Sequence, residues 1–277
     1  MDRKRYSVDL TGKVSVVTGA GGYFGSAFSE ELLANGSKVV LFDKDATVVK
    51  LAYSLARRYG SEMVQHYQAD FYNAEESRRF LCDAVERNNT VDILVNNAFE
   101  FSSRTGFNDP SGRMEIMSKE QWMRSFDSGV YWHALTTQVI GAKMKAQNSG
   151  SIINISSMYA VVSPDPALYA GKKMFNPPAY SASKAALLAF TRYVASFYGE
   201  FGIRCNAILA GAFPHVGIES DSKVDDQEFV ERLSNRASLK RVGTVDDLLG
   251  PLIFLASDAS SFITGHGLSV DGGWTVR

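Results

Sequence analysis

Apolar residues recur along the chain in two alternating rhythms. Short β-branched runs stand at KVSVVT (13–18), KVVLFD (38–43), EMVQHYQAD (62–70), VDILVNN (91–97), GSIINIS (150–156), GIRCNAIL (202–209) and GLSVD (267–271). Between them the apolar positions fall at helical spacing: Phe28, Leu32 and Leu33, then Val48, Leu51, Ala52 and Leu55, then Phe80, Leu81, Ala84 and Val85. Strands and helices alternating at this length build βαβ units with right-handed crossovers. The pattern predicts an α/β fold: a doubly wound parallel sheet of about seven strands with helices on both faces, in a single domain over 1–277. Three connections, 98–118, 158–179 and 210–226, are too long for plain turns. In open α/β sheets, ligands sit where such loops leave the carboxyl ends of the strands.

Charge narrows the ligand. Lys plus Arg number 29 against 30 Asp plus Glu, so no basic excess points to nucleic acid or an anionic membrane. A small molecule is the expected partner. The two cysteines, Cys82 and Cys205, are too few for a disulfide scaffold and lack metal-site spacing, which fits a reducing cytoplasm and no bound metal. The basic start MDRKRYSVDLTGK is followed by no apolar signal core, and no run of ~18 apolar residues occurs to span a membrane.

The first strand runs into TGAGGYFGSAF, with Gly19, Gly21, Gly22 and Gly25 ahead of a helix. A strict G-x-G-x-x-G pattern fails, because Phe24 stands where the last glycine would be. The turn still suits a pyrophosphate: without Cβ atoms the backbone can approach it, and a helix N-terminus offers free N–H groups. Taken alone it is also compatible with a purely structural turn. The second strand ends in Asp43, whose carboxylate can accept from both adenosine ribose hydroxyls and would repel a 2′-phosphate. NAD is therefore expected over NADP, with Lys44 beside the acid read as solvated.

Two Tyr/Lys pairs at four-residue spacing compete for an acid–base role: Tyr169 with Lys173, and Tyr180 with Lys184. Lowering a phenol from a pKa of about 10 toward neutrality requires a nearby cation, and residues four apart share a face only on a helix. Tyr180 opens YSASKAALLAFTRYVASFYGEF, a helix-forming run just after Pro177 and Pro178. Tyr169 and Lys173 enclose Gly171 and lie among Pro164, Pro166 and Asn-Pro-Pro, a loop composition. Tyr180 and Lys184 are the expected catalytic pair, and Tyr169 a loop or substrate-contacting residue.

Taken together, TGAGGYFG, Asp70, NNAF (96–99), NISS (154–157), Tyr180 with Lys184 and the closing ITGHGLSVDGG resemble the short-chain dehydrogenase/reductase family over about residues 8–275. NISSMYAVVSPD and PPAYSASKA are further similar to a sugar-related branch containing flagellin modification protein A and gluconate 5-dehydrogenase-like proteins. The resemblance implies a Rossmann-type sheet and a dinucleotide held by Gly19, Gly21, Gly22, Tyr23, Phe24 and Gly25. Asp70 and Phe71 would lie near the adenine, and Asn96, Asn97 and Ala98 along the cofactor. Gly211 and Phe213 would stand by the nicotinamide, with Tyr180 and Lys184 also touching the cofactor. It makes Ser157 the residue that hydrogen-bonds the reacting oxygen, Tyr180 the proton carrier, and Lys184 the cation that lowers the Tyr180 pKa and holds the ribose. It also implies a tetramer or dimer.

Three positions depart from the family pattern. Tyr23 replaces a glycine of the first turn, Ala210 stands where proline is usual, and Gly129 replaces the asparagine of the catalytic tetrad. That asparagine works partly through its main-chain carbonyl, which glycine retains. His66 and His266 read as surface residues, whereas His133 and His215 are candidates to reach the substrate. The loops 98–118 and 158–179 are expected to form the substrate wall and lid, through Phe99, Phe101, Arg104 and Arg113 in one and Tyr169, Lys172, Lys173, Phe175 and Asn176 in the other. Such walls suit a hydroxyl-rich molecule, phosphorylated or not. The leading expectation is an NAD-dependent oxidoreductase of a sugar-type alcohol or ketone. Alternatives are an acyl or carbonyl reductase, and a dinucleotide sensor without turnover.

Overall fold

The computed structural model describes residues 8–172, 175–214 and 226–277. Seven strands form one parallel sheet: β1 (Val14–Thr18), β2 (Lys38–Asp43), β3 (Val64–Gln68), β4 (Ile93–Asn96), β5 (Gly150–Ser157), β6 (Ile203–Ala210) and β7 (Gly267–Val270). Their order across the sheet is β3-β2-β1-β4-β5-β6-β7, so the chain reverses direction between β1 and β4. A crevice opens at that reversal, where ligands bind in doubly wound sheets. The third strand is shorter than its apolar run because Ser61–Met63 turns as a 3-10 helix before it.

Both faces of the sheet are covered. Val17, Val39, Leu41 and Val95 pack against α1 (Tyr23–Ala34), α2 (Thr47–Tyr59) and, toward the chain's end, Leu248 and Leu252. Val16, Val40, Leu94 and Ile152 meet α3 (Ala74–Glu86) on the other side. That alternation of neighbouring residues is what a strand buried on two faces requires. Beyond β4 come α4 (Lys119–Phe126) and α5 (Trp132–Gln147), joined by a π turn at Asp127–Tyr131. The 21-residue α6 (Pro178–Tyr198) follows β5, and α7 (Gln227–Arg236) and α8 (Asp246–Ala256) complete the set. Among the described residues no helix is long and apolar enough to cross a membrane.

A buried polar layer fixes the helices that carry the chemistry. The Asn96 amide donates to Asn154 Oδ1 (3.0 Å), Thr136 Oγ1 donates to Asn96 Oδ1 (2.6 Å), and the Asn154 amide donates to Thr191 Oγ1 (2.9 Å). These bonds tie β4 and β5 to α5 and α6. Buried amides so satisfied set one register between elements, since any slip would strand a polar group.

Candidate active site

A cleft of about 1050 Å³ runs along the carboxyl ends of the central strands. One half is built around the glycine turn. Helix α1 starts at Gly22 with no side-chain cap and no acidic residue in its first turn, which leaves its first N–H groups available to an anion. Gly19, Gly21, Gly22, Tyr23 and Phe24 line this half. Gly19 has φ +64°, and a Cβ there would lie 2.9 Å from Ala98 Cα, so only glycine fits. Gly25 stands outside the cleft wall: its place is set by the Gly19 carbonyl oxygen, which a Cβ would meet at 2.0 Å. Its role is to let α1 close on the turn.

Asp43 is fixed at the tip of β2. One carboxylate oxygen accepts from the Gly21 N–H (2.9 Å) and the other from the Asp45 N–H (3.0 Å). Lys44, Asp45, Asp70 and Phe71 complete this end, with Lys44 exposed. Asn97 lines the cleft and braces the turn, its side-chain amide donating to the Gly19 carbonyl (3.0 Å) and its backbone N–H to Thr18 Oγ1 (3.0 Å). Asn96 does not reach the cleft; it belongs to the buried layer below. Gly211 and Phe213 line the far side, and the Phe213 ring meets Phe24 edge-on at 5.6 Å. An uncapped helix start, a wall of glycine backbone and a fixed carboxylate fit the pyrophosphate and ribose of a dinucleotide.

The other half holds Ser157 at the end of β5 and, on the first turns of α6, Tyr180 and Lys184, all three buried. Ser157 Oγ accepts from the Tyr159 N–H (3.1 Å), which leaves its own hydrogen to donate. Lys184 Nζ donates to the Ile155 carbonyl (3.0 Å) and lies 4.9 Å from the Phe99 ring centre. Burial lowers its pKa to about 7. Burial pushes the Tyr180 phenol up to about 12; the Ser157 hydroxyl facing it pulls the other way, and Tyr169 adds to the rise. The phenol's own surroundings therefore work against the lowering that the Tyr/Lys spacing implies. Desolvation of both partners is the reason.

Tyr169 lies on a 3-10 turn (Pro166–Tyr169), and its hydroxyl stands 3.5 Å from that of Tyr159. Both tyrosines line the cleft, while Lys173 lies outside the described residues. Of the remaining wall candidates, Phe99, Phe101 and Asn176 line it and Arg104, Arg113, Lys172 and Phe175 do not. Lys172 instead pairs with Asp226 (2.8 Å) and Glu228 (2.7 Å), fastening the loop to α7. Phe107, Met158, Tyr159 and Phe229 line the cleft without having been singled out in the sequence. For Tyr159 a signal existed: it stands two residues after Ser157, where a backbone N–H can reach the serine oxygen. His133 is enclosed behind the cleft wall with neither ring nitrogen hydrogen-bonded, His66 and His266 are exposed, and His215 lies outside the described residues.

Gly129 sits in the π turn, where α6 presses close. A Cβ there would fall 2.6 Å from Ser183 Oγ and 2.8 Å from Ser183 Cβ, so the helix does not accept one without movement. Gly129→Ala is expected to lower stability by ~1–3 kcal/mol, as overpacking does. Adding Ser183→Gly should return part of that loss despite the helix cost of glycine, a coupling that urea unfolding of the two single variants and the double variant would measure. Strict additivity would show that the two residues do not compete for space.

The chain is similar to known proteins along nearly its whole length. A family model described as enoyl-(acyl carrier protein) reductase, a short-chain dehydrogenase model, matches residues 24–275. The L-rhamnose 1-dehydrogenase (NAD(P)(+)) of Azotobacter vinelandii is 32% identical, with 97% of this chain and 98% of the relative covered. The 2-dehydro-3-deoxy-D-gluconate 5-dehydrogenase of Bacillus subtilis is 28% identical over 97% of this chain and 96% of its own. A short-chain dehydrogenase of Leptospira borgpetersenii, solved with bound NAD+, superposes with a TM-score of 0.81 at 27% identity, covering 99% of this chain and 97% of that one. The chain belongs to the short-chain dehydrogenase/reductase family, and its activity class is that of NAD(P)-dependent alcohol dehydrogenases and ketoreductases.

Proposed function

We propose that the protein is an NAD-dependent oxidoreductase that interconverts a secondary alcohol and a ketone, or a ring hemiacetal and a lactone, on a sugar or sugar derivative. The observation that carries this reading is the convergence of Ser157, Tyr180 and Lys184 on the cleft that also holds the glycine turn and Asp43. A nicotinamide held in this cleft would supply hydride transfer at the carbinol carbon. Ser157, whose hydroxyl faces the Tyr180 phenol, orients the substrate oxygen through its O–H, and Tyr180 takes the hydroxyl proton as the carbonyl forms. Lys184, held by the Ile155 carbonyl, carries the positive charge that favours the phenolate and is placed to hold the ribose. The charges balance: alcohol plus NAD+ gives carbonyl, NADH and one proton, which leaves through Tyr180. The sugar names of relatives at about 30% identity support the substrate class. An increase in nicotinamide absorbance on adding sugars with NAD+ tests it, and silence with every sugar and sugar acid would overturn it.

Asp43 supports NAD over NADP, because its carboxylate is pinned by two N–H groups where a 2′-phosphate would press. We expect NADH to bind at least ~10-fold more tightly than NADPH, like charges at this spacing being costly. Asp43→Asn keeps an acceptor for the Gly21 N–H while removing the charge, and should narrow the gap. Titration of both dinucleotides measures it; an NADPH preference in the unaltered protein would refute the assignment. A homo-oligomer belongs to the same reading: Tyr193 and Phe197 stack on the outer side of α6 with their rings 5.8 Å apart and remain more than half exposed.

A further inference from the structure

Among the described residues, the substrate half of the cleft is poor in charge. Three aromatic rings gather around the Tyr180 phenol, with Phe99, Phe107 and Phe101 centred 5.2, 5.3 and 6.1 Å from it. Among the described residues, the cations of the neighbouring loops do not line the cleft. Lys172 is committed to Asp226 and Glu228, and Arg124 to the buried Glu100 (2.9 Å); Arg104 is exposed over Glu100 and Tyr72. Lys184 is the one cation that lines this half among the described residues, and it is occupied by the Ile155 carbonyl and the proton chemistry. Glu100 stands in the same wall with its carboxylate turned to Arg124, so it offers no cation either. Among the described residues a carboxylate or phosphate on the substrate would meet aromatic faces, with no free guanidinium or ammonium to receive it.

One polar group in this wall is unspent. Asn176 is 8% exposed, lines the cleft just ahead of α6, and its Oδ1 is buried without a hydrogen-bond partner. A buried amide oxygen left bare is costly, and it needs a donor. A sugar hydroxyl donates; an ionised carboxylate or phosphate has no proton to give. Aromatic faces beside a hydroxyl acceptor are matched by a pyranose ring, whose C–H face is apolar and whose edge carries hydroxyls.

We propose that the substrate is an uncharged sugar, bound with its apolar face on the Phe99–Phe107 wall and one hydroxyl donated to Asn176, in preference to a sugar acid or sugar phosphate. This rests on the reading of the site as a sugar oxidoreductase. Asn176 is a specificity-determining residue in this arrangement and takes no part in proton or hydride transfer.

The experiment compares kcat/KM with NAD+ for L-rhamnose and D-glucose against D-gluconate and D-glucose 6-phosphate. The best uncharged sugar should exceed both anions by at least ~10²-fold, the penalty expected when a buried charge goes unpaired. Asn176→Ala should then raise KM for that sugar by ~10-fold with kcat and NADH affinity nearly unchanged, the signature of lost substrate binding. One monodeoxy analogue of the sugar should be insensitive to the substitution, which a merely structural role would not produce. Preference for gluconate or the phosphate would overturn the proposal while leaving the sugar reading intact. Equal loss on every deoxy analogue would overturn the role of Asn176. Turnover of simple cyclic alcohols with no sugar of either kind accepted would bring down the sugar reading and this inference with it.

Discussion

Tyr180→Phe lowers kcat by at least ~10³-fold and leaves NADH affinity within a few-fold, because it deletes one proton-bearing oxygen and nothing that shapes the dinucleotide half. The size follows from the site's electrostatics. Burial holds the phenol at about 12 in the free protein, so reaching neutrality means stabilising the phenolate by on the order of 7 kcal/mol. Lys184, itself lowered to about 7 by burial, can supply part of this only while protonated. The remainder has to come from the occupied site, and a phenylalanine can use none of it. Tyr169→Phe should cost no more than a few-fold, since among the described residues that hydroxyl meets only Tyr159, at 3.5 Å, and its ring remains packed on Phe229. Steady-state rates with dinucleotide titrations separate the two variants. A silent Tyr169→Phe enzyme beside an active Tyr180→Phe one would move the acid–base role to the loop.

That Tyr180 lies on a helix and Tyr169 on a short turn was legible in the sequence because it depends on local composition: alanines and leucines after Tyr180, prolines and a glycine around Tyr169. Five of the seven strands were legible for a related reason, since strands buried on both faces read as largely apolar runs, whereas β3 and β7 are the partly exposed edges of the sheet. Asp43 followed from its place at the end of such a run. Contacts between distant segments carried no comparable trace. Gly129 looked like a lost asparagine until its packing on Ser183, 54 positions later, showed that the helices meet too closely for a side chain. Arg104 and Lys172 looked like substrate donors because loop cations facing a cleft and loop cations facing an acid are identical in one dimension. Asn176 read as one donor among several, and only its enclosure without a partner singles it out.

The ion cluster beneath the 98–118 loop is the clearest case of structure beyond sequence, and the largest stability effect is expected there. Glu100 is 4% exposed and receives the Arg124 guanidinium at 2.9 Å and 3.1 Å, the Tyr72 hydroxyl and the Ser102 hydroxyl at 3.1 Å. Burial pushes its carboxyl up, but the Tyr72 and Arg124 hydrogen bonds outweigh that and hold it below its ordinary 4.5. A depressed carboxyl stabilises the fold at pH values above 4.5 and loses that contribution as pH falls from there through its lower folded pKa. Arg124→Met leaves the carboxylate buried with no cation and should cost ~3–5 kcal/mol at neutral pH. Adding Glu100→Gln removes the stranded charge while Tyr72 can still donate to the new amide oxygen, so the double variant should regain most of the loss and show a shallower decline in acid. Urea midpoints at neutral pH and near pH 4 test both statements. Because Phe99 and Phe101 flank Glu100 and form the wall beside Tyr180, the Arg124→Met variant should also raise KM for the substrate, and the double variant should restore it. Equal stability of the Arg124→Met and double variants would mean that the carboxylate finds water or another donor, and that this cluster does not set the position of the wall.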